Sequence, residues 1–339
     1  MIYHIISSWD NQAKSLSKKT NEIIHSLLTF GLGLYYPLLV LNFGAGYSGV
    51  VFATATEDFT FFGNLFIIGI VFIMFLWALS AKIRTIRNPK LNDTTNNYKL
   101  FCKEFLEDYG RKNKIRRKYI HTLPFGVVGI IVIICYILSS GLLGEKWLEY
   151  ARFIIAIVGI IFAFTFIIGD IVRLLDFGFM PPTVAGWFKK AMTKDEIDTF
   201  TSTSVMVFGF GPFLLFDFPI FLIVLLITAV ADAFASIFGL LAKNKHYFPK
   251  DSKKTIEGYI GGALTTFGCT LFGAFFASLF GKCNWSLQLT LVISALMTVI
   301  FFLIDLITAK IELQDNYLNP LISGGIILLI LIILDVSIF

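Results

Sequence analysis

Charged residues are scarce in this chain. Asp, Glu, Lys and Arg make up 15% of its 339 residues, whereas 56% are hydrophobic and 37 are Phe. A soluble domain of this size needs more polar surface, and repeated apolar runs of about 20 residues match the thickness of a bilayer core. The composition therefore predicts an all-α, polytopic integral membrane helical bundle, because spanning helices satisfy their own backbone hydrogen bonds.

Cysteine and histidine are equally scarce, with four of each. The cysteines show no CxxC spacing and no nearby histidine pairs, which argues against a zinc site or a disulfide framework. Any metal would more plausibly be Mg²⁺ bound by oxygen ligands. A polar start precedes the first full-length apolar segment, so we do not expect a cleavable signal peptide.

Long apolar runs are abundant, and about nine of them are predicted to be transmembrane helices. They lie at roughly 23–43, 59–80, 122–143, 151–172, 201–216, 220–242, 259–280, 288–308 and 320–338. The fifth is short and ends at FDFP, so we expect it to be tilted or broken by Pro219.

The loops between these segments divide into two sets of unequal charge. One set holds 25 Lys or Arg, and the other holds only Lys146, Arg152 and Lys282. The positive-inside rule makes the first set cytosolic and places the N-terminus inside and the C-terminus outside. Within it, 81–121 is a long basic loop whose charges are also explained by attraction to anionic lipid headgroups. The basic set comprises 1–22, 81–121, 173–200, 243–258 and 309–319.

One predicted span carries a carboxylate, Asp232. A charge at the bilayer centre costs roughly 3 kcal/mol, so we expect Asp232 to face the protein interior and to have a function. The alternative is a protonated or hydrogen-bonded structural Asp. The small residues around it let another backbone, or a ligand, approach closely. They are Ala231, Ala233, Ala235, Ser236 and Gly239.

A lysine-rich loop follows Gly239 and leads into the helix start EGYIGG. Ammonium groups and the free amides of a glycine-rich helix N-terminus both favour phosphate. Ordinary cytosolic lysines explain most of this charge, but they do not explain why Glu257 and Gly258 follow in KKTIEG. Basic residues beside a carboxylate fit a Mg²⁺–nucleotide better than a bare anion. The lysines are Lys243, Lys245, Lys250, Lys253 and Lys254.

A second polar cluster, KIELQDNYLNPL, places Glu312, Asp315 and Asn316 on a short cytosolic loop. Two carboxylates and an amide in such a loop are typical of Mg²⁺ binding or phosphoryl transfer. A plain polar turn closed by Pro320 is the alternative.

Two further clusters lie at predicted membrane boundaries. In RRKYIH, Arg117 and His121 are four residues apart and share a helix face, with Lys118 beside them. In GDIVRL, Asp170 and Arg173 are three apart, and a structural ion pair explains them equally well. All the clusters fall near the cytosolic face, which favours one active site there for a phosphorylated soluble substrate and a lipid.

Six motifs, in order, resemble the CTP-dependent lipid kinase family that includes dolichol kinase, phytol kinase and fungal-type diacylglycerol kinase. The resemblance covers roughly residues 112–325, and residues 1–80 fall outside it. Ala231 replaces the glycine of the family's GDxxAxxxG. The matching stretches are RRKYIH, DIVR, TSTSVMVFG, ADAFASIFG, KKTIEG and ELQDNYLNPL.

The resemblance implies a role for each matched residue, and either Asp232 or Asp315 would take the proton from a lipid hydroxyl. The implied catalytic residues are Asp232, Asp315, Glu312 and His121, and the three carboxylates among them would bind Mg²⁺. The implied CTP-binding residues are Lys253, Lys254, Glu257, Gly258, Gly239, Lys243, Asn316, Arg117, Lys118, Asp170 and Arg173.

The function implied by the resemblance is transfer of the γ-phosphate of CTP to a membrane lipid alcohol, most closely a polyprenol or dolichol. The chain then divides into an N-terminal extension with two spans (1–80), a basic cytosolic loop (81–121) and a membrane catalytic domain (122–339). The partners are CTP and the lipid, with no nucleic acid. The expected location is the endoplasmic reticulum in a eukaryote and the plasma membrane otherwise.

Three alternatives stay open. The enzyme could phosphorylate diacylglycerol or phytol, or it could be a phosphatidate cytidylyltransferase, in which attack falls on the α-phosphorus and pyrophosphate leaves. From another class, a secondary transporter would use Asp232 and Asp305 as coupling carboxylates. Transporters often show inverted repeats and symmetrically broken helices, and the sequence shows neither.

Overall fold

The computed structural model describes residues 15–44, 55–250, 252, 254–311 and 313–336. This part of the chain is 83% helix and contains no strands, which confirms the all-α prediction. Its helices are α1 (Leu16–Gly44), α2 (Ala55–Arg87), α3 (Tyr98–Asp108), α4 (Arg111–Ile137), α5 (Trp147–Leu175), α6 (Pro182–Ala191), α7 (Ser202–Phe210), α8 (Phe213–Phe216), α9 (Phe218–Leu226), α10 (Asp232–Leu241), α11 (Ile256–Leu279), α12 (Leu287–Ile311) and α13 (Asp315–Ile333).

Seven helical segments of the described residues are long and apolar enough to cross a membrane. They correspond to α2, α4, α5, the continuous run from α9 to α10, α11, α12 and α13. The first predicted span lies within α1, whose side chains from residue 32 onward are outside the described part. The count of nine spans and the cytosolic N-terminus therefore stay predictions.

The predicted fifth span is broken, but Pro219 does not break it. Helix α7 ends at Phe210, and α8 begins after Gly211 and Pro212. Asp217 then caps α9 by accepting a hydrogen bond from the amide of Ile220 at 2.9 Å. Pro219 lies in the first turn of α9, where its missing N–H costs no intrahelical bond.

The segment predicted as a basic loop, 81–121, is mostly helical. Helix α2 continues to Arg87, α3 lies entirely within the segment, and α4 begins at Arg111. Helix α3 forms because its buried Phe101 and Phe105 pack in a satellite hydrophobic cluster with residues of α6 and the preceding turn. Most polar side chains of the segment are exposed, whereas Thr85, Asn96, Lys118 and His121 are buried.

Helix α9 forms the centre of the bundle. All nine of its residues are buried, as expected for a helix that is apolar on every side. Helices approach each other closely where glycine replaces a side chain. A Cβ atom on Gly209 would clash with Pro320 of α13, and one on Gly324 would clash with the ring of Phe213. These contacts fix α7 and α8 against α13.

The chain direction brings the polar motifs to one end of the bundle. Helices α4, α11 and α13 begin at this end, and α10 and α12 end there. We refer to it as the polar end. Motifs that are more than 100 residues apart in sequence are therefore neighbours in space.

Candidate functional site

A cavity of about 1000 Å³ opens at the polar end. Its walls come from α1, α4, the segment before α7, α10, the loop 242–255, and the adjoining ends of α11, α12 and α13. We call it the polar cavity. Its charged and polar lining includes Arg117, Lys118, Asp232, Lys254, Asp305, Asp315 and Asn316.

Asp232 is directed into the polar cavity from the first turn of α10. A π-helical turn, Ile227–Ala231, joins α9 to α10 immediately before it, and such turns often occur at functional sites. The Nζ atom of Lys118 on α4 donates to Oδ2 of Asp232 at 2.6 Å. The two side chains are only 8% and 9% exposed. Asp232 therefore faces the protein interior, as expected, and its charge is paired with a lysine from the RRKYIH motif.

Lys254 joins two other carboxylates across the cavity. Its Nζ atom donates to Oδ1 of Asp305 on α12, and to Oδ2 of Asp315 on α13 at 2.9 Å. Burial lowers the pKa of the Lys254 ammonium, but the charges of Asp315 and Asp305 outweigh this effect and hold its pKa above the ordinary value. Lys254 is therefore charged at neutral pH.

The loop before α11 holds Lys254 in place through a tight turn. Tyr247 and Thr255 form an isolated antiparallel bridge, and the amide of Phe248 donates to the carbonyl of Lys254 at 3.2 Å. The amide of Lys254 donates to Oγ of Ser252 at 3.2 Å. This fixed backbone lets the lysine reach α12 and α13 at once.

The N-terminus of α11 is capped within the protein. Oγ1 of Thr255 accepts from the amide of Gly258 at 3.2 Å, and the amide of Ile256 donates to the carbonyl of His246 at 2.8 Å. Gly239 and Gly258 both line the polar cavity. A Cβ atom on Gly239 would lie 2.7 Å from Oγ1 of Thr255, so this glycine also permits the close approach of α10 and α11.

Asp315 and Asn316 lie in the first turn of α13 rather than on the predicted loop. A plain turn closed by Pro320 is ruled out as well, because Pro320 is inside the same helix. Both Asp315 and Asn316 line the polar cavity. Two other predicted site residues, Lys253 and Glu312, lie outside the described residues.

Five predicted site residues do not line the polar cavity. Glu257 accepts from Nδ1 of His246 at 2.6 Å if that nitrogen carries the proton, and Lys243 is exposed. His121 is 2% exposed and lies one helical turn from the cavity-lining Arg117, with no hydrogen-bond partner on either ring nitrogen. Asp170 and Arg173 complete the five.

Asp170 and Arg173 form a fully buried ion pair, with Arg173 Nη2 2.7 Å from Asp170 Oδ1 and both side chains 0% exposed. Arg173 also donates to the carbonyls of Ile197 and Thr199. Asp170 accepts from the amide and hydroxyl of Thr201, each at 2.8 Å. This network holds the segment before α7 against α5, which favours the structural explanation of GDIVRL.

Asp305 also lines the polar cavity, although the sequence predicted it only as a coupling carboxylate of a transporter. Its signal was the same as that of Asp232, an acidic residue inside an apolar span. Asn21 of α1 was also missed. Its side-chain oxygen accepts from the amide of Gln314 and the hydroxyl of Tyr317, each at 3.2 Å, so α1 contributes to the wall of the cavity.

The side chains around the cavity present carboxylate and amide oxygens, which are the kind of ligand that Mg²⁺ prefers. Asp232, Asp305, Asp315 and Asn316 supply them. Each carboxylate is held by a lysine, however, and among the described residues no three His, Cys, Asp or Glu side chains gather closely enough to hold a metal ion. Metal binding here would require the lysines to exchange their carboxylate contacts for others.

Comparisons with family models, curated proteins and solved structures find no match to this chain. The cavity combines ammonium groups that can bind phosphates with carboxylates that can bind a cation or accept a proton.

Proposed function

We propose that the chain is a CTP-dependent lipid alcohol kinase that transfers the γ-phosphate of CTP to a polyprenol-type alcohol. The observation that carries the proposal is the grouping of Lys118–Asp232 and Lys254–Asp305–Asp315 around one cavity at the end of a membrane helical bundle. Cations and carboxylates arranged together are what phosphoryl transfer requires. The ordered motif resemblance, which rests partly on the same residues, supports the same reaction.

The lysine–carboxylate pairs give each residue a role in this reaction. When a triphosphate enters, Lys118 and Lys254 bind its oxygens and their carboxylate partners become free. Asp232 then accepts the proton of the lipid hydroxyl as that oxygen attacks the γ-phosphorus, and CDP leaves with the electrons of the broken bond. Arg117, which also lines the cavity, adds positive charge for the phosphates.

Mg²⁺ is the proposed cofactor, and when bound it would neutralise charge on the transferring phosphoryl group. The residues that would hold it are Asp232, Asp315 and Glu312. Asp305 is an additional oxygen donor at the same cavity. Asp232, Asp305 and Asp315 become available in the proposed cycle because Lys118 and Lys254 move to the phosphates.

The size and position of the cavity fit a soluble nucleotide and a membrane acceptor. Its volume of about 1000 Å³ lies at the upper end of the range for small-molecule sites. The strong bias of Lys and Arg to the loops at this end supports a cytosolic orientation. CTP would then reach the cavity from the cytosol. The membrane would be the endoplasmic reticulum in a eukaryote and the plasma membrane otherwise.

The deciding experiment uses CTP labelled at either its γ- or its α-phosphate. Purified protein in mixed micelles with Mg²⁺ is given polyprenol, phytol, diacylglycerol or phosphatidate, with Asp232→Asn as the inactive control. Transfer of γ-label to an alcohol supports the kinase and identifies the acceptor. Transfer of α-label to phosphatidate would instead establish a cytidylyltransferase, and movement of neither label would refute both activities.

A further inference from the structure

A second cavity, apolar and about 300 Å³ in volume, lies between α1, α5 and α7. We call it the apolar slot. It has the size of a small ligand pocket, and nothing in the proposed phosphoryl transfer occupies it. Its lining includes Leu27, Leu28, Gly31, Ile160, Val207 and Phe208.

The apolar slot and the polar cavity share the same two helices. On α1, Asn21 and His25 line the polar cavity, and Leu27 and Gly31 line the slot. On α7, Ser202 lines the polar cavity and residues from Val207 onward line the slot. The wall therefore changes from polar to apolar along both helices, as an amphipathic molecule with a polar head and an apolar chain requires.

His25 lines the polar cavity two residues before Leu27 of the slot, and one of its ring nitrogens has no hydrogen-bond partner. It is 3% exposed, its Nε2 lies 2.9 Å from Oγ of Ser204, and its Nδ1 is buried without a hydrogen-bond partner. An unsatisfied buried polar atom is costly. Whichever tautomer is present, Nδ1 can either accept a hydrogen bond from a hydroxyl or donate one to it.

The slot also reaches the outer surface of the bundle. Leu27, one of its lining residues, is 63% exposed. In a membrane this surface faces lipid, so an apolar chain can leave the slot for the bilayer without crossing water. The slot therefore does not have to enclose the whole of a long chain.

We propose that the lipid acceptor binds with the first part of its hydrocarbon chain in the apolar slot and its hydroxyl hydrogen-bonded to Nδ1 of His25. This rests on the proposed function for the identity of the acceptor as an alcohol. It gives α1, which lies outside the motif resemblance, a role as one wall of the lipid site. His25 is a substrate-binding residue here, and Asp232 keeps the role of base.

The slot is tested by filling it. Gly31 lines the slot, and a Cβ atom there meets no atom within 4 Å, so Gly31→Leu is chosen to add a side chain at the slot. Gly69 on α2 is equally unobstructed and lines neither cavity, so Gly69→Leu is the matched control. With geranylgeraniol as acceptor, Gly31→Leu raises KM for the alcohol about tenfold, the effect of roughly two lost methylene contacts, and leaves KM for CTP unchanged.

Direct photolabelling provides a test that does not depend on catalysis. Geranylgeraniol carrying a diazirine on its chain is irradiated with the wild-type protein and both variants in lipid vesicles, without nucleotide. The expected label lies on α1 near residues 27–31 and on α7 near 207–208, is lost in Gly31→Leu and persists in Gly69→Leu. Label confined to other helices, or unchanged by Gly31→Leu, overturns the proposal.

His25→Ala tests the hydroxyl contact separately. It weakens competition by untagged geranylgeraniol for the photolabel, but not competition by a branched hydrocarbon of similar length that lacks the hydroxyl. If His25→Ala weakens competition by the alcohol and by the hydrocarbon to the same extent, the role of His25 is overturned. Labelling of the slot without any transfer from CTP would refute the kinase and keep the lipid site, whereas transfer that is insensitive to Gly31→Leu would refute the lipid site alone.

Discussion

Lys118 and Asp232 are 114 residues apart in the chain and form a buried ion pair of 2.6 Å between α4 and α10. Buried ion pairs contribute little net stability, because the desolvation of both charges offsets their attraction. A pair that lines a large cavity with other charged groups is better explained by what it binds than by the stability it gives.

Asp232→Asn is expected to abolish γ-phosphate transfer, since an amide cannot accept the proton of the attacking hydroxyl. It also leaves Lys118 buried without a charged partner, at a cost of about 3–5 kcal/mol. The double variant Lys118→Met/Asp232→Asn removes that unpaired charge. We expect thermal unfolding in detergent to show recovered stability in the double variant, while turnover stays absent. Normal turnover in Asp232→Asn would contradict the assignment of the base.

Lys254→Ala is expected to raise KM for CTP by about tenfold or more, because a phosphate loses a charge-assisted contact. The matched control is Lys243→Ala, which removes an exposed lysine of the same loop that does not line the cavity. The measurement is initial rate against CTP concentration at saturating alcohol. If both variants raise KM for CTP by the same factor, the loop acts only through its general positive charge.

Asp170→Asn is expected to lower stability without changing KM for CTP. The substitution leaves the guanidinium of Arg173 buried and without a charged partner, which costs about 3 kcal/mol or more. The segment Ile197–Thr201 then loses part of its support from α5. Thermal unfolding and CTP kinetics on the same preparation separate this structural role from the nucleotide-binding role implied by DIVR. A selective rise in KM for CTP would restore the latter.

The sequence predicts the helical class and most spans because apolar runs of bilayer length have few other solutions. It was less informative where local pattern and tertiary contact conflict. The polar composition of 81–121 did not predict α3, because its two buried Phe residues pack against residues that are distant in sequence. Pro219 looked like a helix breaker, yet its place in a first turn makes it compatible with α9.

The sequence predicted several residues of the candidate site, but it did not predict which lysine contacts which carboxylate. Asp232, Lys254 and Asp315 were identified from charge beside apolar sequence, and all three line the polar cavity. The lysine that each carboxylate contacts depends on how α4, α10, α12 and α13 pack, which no local pattern encodes. The π-helical turn before Asp232 is equally hidden, because the run ITAVA reads as ordinary apolar helix.

Gly239 tests whether packing and binding depend on the same contact. A Cβ atom there would lie 2.7 Å from Oγ1 of Thr255, the atom that caps α11. Thr255 directly follows Lys254 in the sequence. Gly239→Ala is therefore expected to destabilise the protein by about 1–3 kcal/mol and to raise KM for CTP, because moving the cap also moves Lys254. Gly129→Ala on α4, where a Cβ meets nothing within 4 Å, should leave both quantities near wild type. If Gly239→Ala lowers the unfolding temperature while KM for CTP stays constant, the α10–α11 contact serves packing alone and Lys254 is positioned independently of it.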